Sequence, residues 1–162
     1  MKLEDFLEST FLSPYIGLKR PLFRINSIII HCSGTDIKHT PKDVHDWHLK
    51  NGWKGCGYNI IIDQECKVHI GRTIDRVGAH CPGKNTQSVG ICLLGLEKIS
   101  PEQVKKMAEV IQDLQNIFQE KFNRELEIFT HRFFDAERTC PHLTRGRFRS
   151  ILGRDIFTKD RV

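Results

Sequence analysis

The chain has 162 residues, of which 39% are hydrophobic and 28% charged, with six Cys, eight His and a formal net charge of +5. That length fits one domain of roughly 100–200 residues. The apolar content excludes wholesale disorder, and the charge excludes an acidic tail protein and favours an anionic partner. The excess is local. From Arg138 to Val162 there are seven basic residues and two acidic ones, which leaves 18 of each sign in residues 1–137.

No apolar run reaches the 18 residues of a membrane-spanning helix. Acidic residues interrupt MKLEDFLESTFLSPYIGLKRPLF, so no secretory signal is expected. The expectation is a chain made in the cytoplasm, with Cys32, Cys56, Cys66, Cys81, Cys92 and Cys140 as thiols rather than disulfides. No pair has C-x-x-C spacing, which disfavours a zinc ribbon or a dithiol redox site.

Residues 2–12 carry Leu3, Phe6, Leu7 and Phe11 at helical spacing and predict a short amphipathic helix, followed by a connector to about Arg24. Ile25–Cys32 (INSIIIHC) has the β-branched density of a buried strand, with Gly34 as its exit turn. Thr40-Pro41 is an N-cap followed by Pro at the first helical position, so a helix runs to about Lys50 and stops at Asn51-Gly52. Tyr58–Asp63 and Cys66–Ile70 predict a hairpin turning at Gln64-Glu65, and Val89–Leu94 a further buried strand. Ser100-Pro101-Glu102-Gln103 is a capping box. The helix behind it aligns Val104, Met107, Ala108, Ile111, Leu114 and Phe118 on one face. Leu126–His131 is the last strand. Phe148, Ile151, Leu152 and Ile156 are weak helix anchors in the tail. Alternating helices and strands predict a single α/β domain, a central mixed sheet flanked by helices.

His31 and His131 each follow an apolar strand, where a sheet delivers side chains to one edge. Cys140 lies nine residues past His131 in the polar segment FFDAERTCP. Zinc takes nitrogen and thiolate donors, and three protein ligands leave a fourth position open, so His31, His131 and Cys140 form one candidate site. Spacing alone leaves others open. His45 and His48 share a helix face, read here as solvated or lining a cleft. His142 is a rival ligand beside Cys140. His39 and His69 read as surface residues, and His80 as a loop residue between glycines. G-x-S-x-G, phosphate-loop and dinucleotide motifs are absent.

Four stretches, IIIHCSGT (28–35), VHDWHLKNGWKGCGYNIIID (44–63), VGAHCPGKNTQSVGICLLG (77–95) and HRFFDAERTCP (131–141), resemble in order the zinc-dependent N-acetylmuramoyl-L-alanine amidases of the T7 lysozyme type, which share a fold with peptidoglycan recognition proteins. The resemblance spans roughly residues 25–143. It implies one Zn²⁺ on His31, His131 and Cys140, a catalytic Tyr58, and Arg138 at a basic position where the T7-type enzyme has lysine. Arginine stays protonated and acts there as a charged donor, not as a base. It also implies hydrolysis of the bond between N-acetylmuramic acid and L-alanine, with peptidoglycan as partner and cell-wall lysis as outcome.

His48, Trp53, His80 and Asn85 are candidate substrate contacts, whereas Trp47 reads as core beside Val44. The expected organisation is an N-terminal extension (1–24), an amidase core (25–143) and a basic tail (144–162) on or beside the core. A monomer is expected, reaching the wall after release or export by another system. Two rivals stand beside this reading: a non-catalytic peptidoglycan-binding module, and a nucleic-acid-binding protein acting through the basic tail.

Overall fold

The computed structural model describes residues 1–9, 17–35, 39–96 and 98–158. Five strands form one mixed sheet: β1 (Ser27–Cys32), β2 (Ile60–Ile62), β3 (Val68–Ile70), β4 (Ser88–Leu93) and β5 (Glu127–Thr130), in the order β3-β2-β4-β1-β5. All neighbours are parallel except the β2/β3 hairpin. The central strands β1 and β4 are buried along their whole length. This explains why both read as continuous apolar runs rather than alternating ones.

The two faces have different covers. Ile28, Ile30, Ile60, Ile62, Val89, Ile91 and Leu93 form the main core with the helix α2 (Pro101–Phe122). α2 contributes Val104, Met107, Ile111, Leu114 and Phe118, as its periodicity predicts. Its capping box also ties it to the sheet, because the buried Gln103 amide donates to the carbonyls of Ile62 (3.3 Å) and Leu94 (3.0 Å). On the opposite face Ile61, Cys92 and Leu94 pack with Cys56 and with Val44 of α1 (Pro41–Lys50). Side chains alternate along a strand, so His31 belongs to this second face.

The short α3 (His131–Phe134) follows β5 directly, and α4 (Arg145–Leu152) returns across α2. Phe148 of α4 is fully buried, its ring 5.2 Å from that of Phe157. Arg147, Arg149 and Arg154 remain exposed around this anchor. Beyond α4, Thr158 lies along β5: its N–H donates to the Ile128 carbonyl (2.9 Å), and its hydroxyl accepts the Ile128 N–H (2.8 Å).

Three sequence expectations are corrected. Of the helix predicted over 2–12, residues 1–9 hold a 3₁₀ turn at Glu4–Phe6, and residues 10–12 lie outside the described residues. Phe6 is drawn into the core and its carbonyl accepts from Ile74 N (3.0 Å), so it does not propagate a helix. A segment this short needs tertiary contacts to hold any helical turn. The hairpin return begins at Val68 rather than Cys66. There the Asp63 carboxylate accepts the N–H groups of Glu65 (3.0 Å) and Lys67 (2.8 Å), and Cys66 takes a left-handed φ of 63°. The last strand ends at Thr130, and His131 opens α3.

Candidate metal centre

Parallel pairing brings together two histidines one hundred positions apart. β1 and β5 align Ile28 with Ile128 and Ile30 with Thr130. The next residue is a histidine in each case, His31 still on β1 and His131 just past β5 at the start of α3, and the two rings come to 4.5 Å between centroids. They meet at the carboxyl ends of parallel strands, where open α/β sheets bind ligands. Cys140 arrives on the loop after α3. Its carbonyl accepts the Arg132 N–H (3.1 Å), and the Arg132 guanidinium donates to the flanking carbonyls of Thr139 (2.6 Å) and Pro141 (2.5 Å). The Cys140–Pro141 bond is cis. Donor atoms of His31, His131 and Cys140 all lie within 4.8 Å of one another, and among the described residues they form the one such group.

The electrostatics suit a cation. Burial holds both imidazoles below the ordinary histidine range, so each keeps a bare nitrogen at neutral pH. The Cys140 sulfur accepts the Cys32 N–H at 3.0 Å, a contact that favours a thiolate. The Cys140 thiol in turn donates to the Cys32 carbonyl at 3.6 Å, and the two neighbouring thiols hold their protons unequally, Cys32 drawn down to about 6 and Cys140 pushed up. Two imidazole nitrogens and one thiolate are a donor set that zinc favours, and three protein ligands leave room for water.

His131 and Cys140 line a groove of about 540 Å³, with His31 buried behind them. Tyr58 is half-buried in its wall, its ring 5.3 Å from His31 and 5.6 Å from His48. Burial raises its hydroxyl well above the usual range, so it remains a proton donor. His48 accepts the Gly57 N–H on Nδ1 (3.0 Å), which leaves Nε2 as its uncommitted nitrogen. Burial lowers it to about 4. Its ring lies 4.7 Å from Trp53, which is exposed. Arg138 also lines the groove, mostly exposed and 3.3 Å from the Asp135 carboxylate.

Several expected positions change character. Trp47 is 47% exposed and lines the groove instead of the core. The buried face of α1 is Pro41, Val44, His45 and His48, with Trp47 at its margin. His45 is buried and accepts the Cys56 N–H (3.0 Å). His69 is half-buried and paired with Asp63 (2.7 Å) rather than on the surface. His39 is exposed, and His142 is exposed at the groove rim. Asn85 borders the groove, but its side-chain oxygen accepts the N–H groups of His80 and Cys81, both at 2.9 Å. His80 is a buried ring, 7% exposed, with its Nδ1 3.0 Å from His31 Nε2.

Three buried polar residues behind the site carry no sequence signal. Arg20 donates to the carbonyls of Ile74, Asn85, Thr86 and Ser88 (2.7–3.1 Å) and pins the loop that enters β4. Arg72 does the same for Cys56 (2.7 Å) and Val77 (2.9 Å). The Asn59 amide bridges Gly90 N–H to the carbonyls of Arg72, Thr73 and Arg76.

A family profile described as N-acetylmuramoyl-L-alanine amidase matches residues 21–143. The endolysin of Enterobacteria phage K11 is 27% identical over 146 residues, 84% of this chain and 91% of that one. Among solved structures, the endolysin N-acetylmuramoyl-L-alanine amidase LysCS of Clostridium intestinale superposes with a TM-score of 0.68 at 22% identity, over 89% of this chain and 93% of its own. A tyrosine-to-phenylalanine mutant of Drosophila PGRP-LB, in complex with tracheal cytotoxin, has a TM-score of 0.68 at 24% identity, over 98% of this chain and 96% of its own.

Proposed function

The chain belongs to the N-acetylmuramoyl-L-alanine amidase family, and on that premise we propose that it cleaves the bond between N-acetylmuramic acid and L-alanine with a zinc ion on His31, His131 and Cys140. The observation that carries this reading is the juxtaposition of those three donors, two of which line an open groove. Zinc in such a site lowers the pKa of bound water toward ~7 and polarises a carbonyl.

The chain's own residues supply the rest. Tyr58, kept protonated by burial, offers a hydroxyl hydrogen toward the charge that develops on the carbonyl oxygen. Arg138 adds a permanent positive charge at the same rim. His48 has an uncommitted nitrogen, and with Trp47 and Trp53 forms an amphipathic wall for a muramyl peptide. The exposed arginines of α4 attract an anionic wall polymer. In a cell the enzyme would meet this substrate as an endolysin does, after release to the wall.

The similarity to a peptidoglycan recognition protein supports a second reading, binding without cleavage. A thiolate at position 140 favours catalysis, because it is a strong zinc ligand. Mass spectrometry of peptidoglycan incubated with the protein separates the two. New L-alanine amines are expected, lost with a chelator, restored by zinc and absent with Cys140→Ser. Hydrolysis indifferent to the chelator would overturn the metal assignment, and intact peptidoglycan would favour the binding module.

A further inference from the structure

His80 lies outside the donor trio yet touches one member of it. Its Nδ1 is 3.0 Å from His31 Nε2, its Nε2 is 3.5 Å from Ser88 Oγ, and Ser88 Oγ is 2.8 Å from the Lys84 carbonyl oxygen. His31, His80 and Ser88 are all buried, at 1%, 7% and 0% exposure.

The direction of every hydrogen bond in this chain follows from its far end. A carbonyl oxygen only accepts, so the single Ser88 hydroxyl hydrogen goes to Lys84. The Ser88 oxygen therefore accepts from His80, which places the His80 proton on Nε2 and leaves Nδ1 a bare acceptor. His31 must then donate from Nε2, and its Nδ1 is the nitrogen left without a proton. That is the form a metal-binding imidazole needs, and ligating histidines commonly have their other N–H held in this way.

The seat of the ring is equally specific. A Cβ added at Gly78 or at Gly90 would come within 2.5 Å of His80 Cδ2. Glycine at both positions lets the imidazole lie flush on the face of β4, between that strand and the loop at Gly78. The His80 backbone N–H is tied to Asn85 Oδ1. The ring borders the groove, but both of its nitrogens are already partnered, by His31 and by Ser88.

We propose that His80, backed by Ser88 and the Lys84 carbonyl, is a positioning residue that sets the tautomer and orientation of His31 as a metal ligand. This rests on the reading of His31 as a ligand. It assigns His80 to the support of the centre rather than to substrate contact.

The test pairs zinc affinity, measured by competition with a chromophoric chelator, with nitrogen-15 NMR of the imidazoles in the full chain. In the metal-free wild type, His31 and His80 should both carry their proton on Nε2, and zinc should shift His31 Nδ1. His80→Leu should weaken zinc binding about 10–100-fold. His80→Asn, whose side-chain oxygen can take the place of Nδ1, should recover most of that loss. Ser88→Ala keeps the ring and removes its acceptor, and should populate the Nδ1–H form of His80 with a smaller loss of affinity. Equal loss in the Leu and Asn variants, or a His31 proton on Nδ1 in the wild type, overturns the proposal. If His80→Leu does not fold, an unchanged tautomer and zinc affinity in Ser88→Ala overturn it. A wild type that binds no zinc, or binds it as tightly after Cys140→Ser, overturns the ligand reading instead.

Discussion

Replacing Arg132 with methionine should weaken zinc binding without removing a ligand. The guanidinium holds the carbonyls on either side of Cys140, Thr139 at 2.6 Å and Pro141 at 2.5 Å, and so fixes where the sulfur points. Methionine keeps the apolar stem and removes the donors. A hydrogen bond to a charged group contributes about 1.5–3 kcal/mol. Arg132 is half-exposed, and water replaces part of what is lost, so the pair together amounts to about 1–2 kcal/mol. If that energy orders the loop for binding, zinc affinity should fall roughly 5–30-fold, at 1.4 kcal/mol per factor of ten. Chelator competition measures it, and urea unfolding of the zinc-free protein gives the accompanying loss of stability. A folded variant with zinc affinity within about twofold of the wild type would refute the idea that Arg132 presents Cys140.

Tyr58→Phe should retain zinc and lose about 10²–10³ in turnover on peptidoglycan, as expected for the loss of one donor to the developing oxyanion; unchanged turnover would remove Tyr58 from the chemistry. Phe148→Ala should cost about 3–5 kcal/mol in urea unfolding, because it empties a fully buried site between α4 and α2. Gln in place of the exposed Arg147, Arg149 and Arg154 should leave stability nearly unchanged and reduce peptidoglycan binding at low salt. Acid should destabilise the fold. Burial holds His48 at about 4 and His80 at about 3, whereas the unfolded chain takes up these protons near 6.5. Their contribution is complete above pH 6.5 and is lost as pH falls, toward about 4 for His48 and about 3 for His80. For His48 the gap corresponds to about 3 kcal/mol at most. The urea midpoint should drop across that interval, and a flat profile would refute it.

Local chemistry makes much of this fold legible. Thr40-Pro41 and Ser100-Pro101 mark their helices because each cap satisfies N–H groups that the helix cannot, and α1 and α2 begin there. The buried strands show as β-branched runs for the same reason that they are covered on both faces. The proposed ligand pair is harder. Nothing local in IIIHC or EIFTH says that β1 and β5 are neighbours in register, and only the likeness to a known family selects His31, His131 and Cys140 from eight histidines and six cysteines. The supports are invisible. Arg20 and Arg72 look like ordinary surface charges until the loops around them close, and Asn59 has no neighbour pattern that announces four backbone partners. Trp47 misleads in the opposite way, since an indole three residues from a core valine can sit on either side of the helix margin.

The strand that leads into His131 is one of the two outer strands of the sheet, and Thr158 lies along it. An uncovered outer strand presents its peptide groups as a template for another chain to pair with. Thr158 occupies both peptide groups of Ile128, the N–H and the carbonyl, and blunts that template only three residues before a proposed ligand. The basic C-terminal segment thereby acquires a role separate from charge. It shields the sheet against self-association at the margin where a misplaced strand would also displace His131, a proposed ligand.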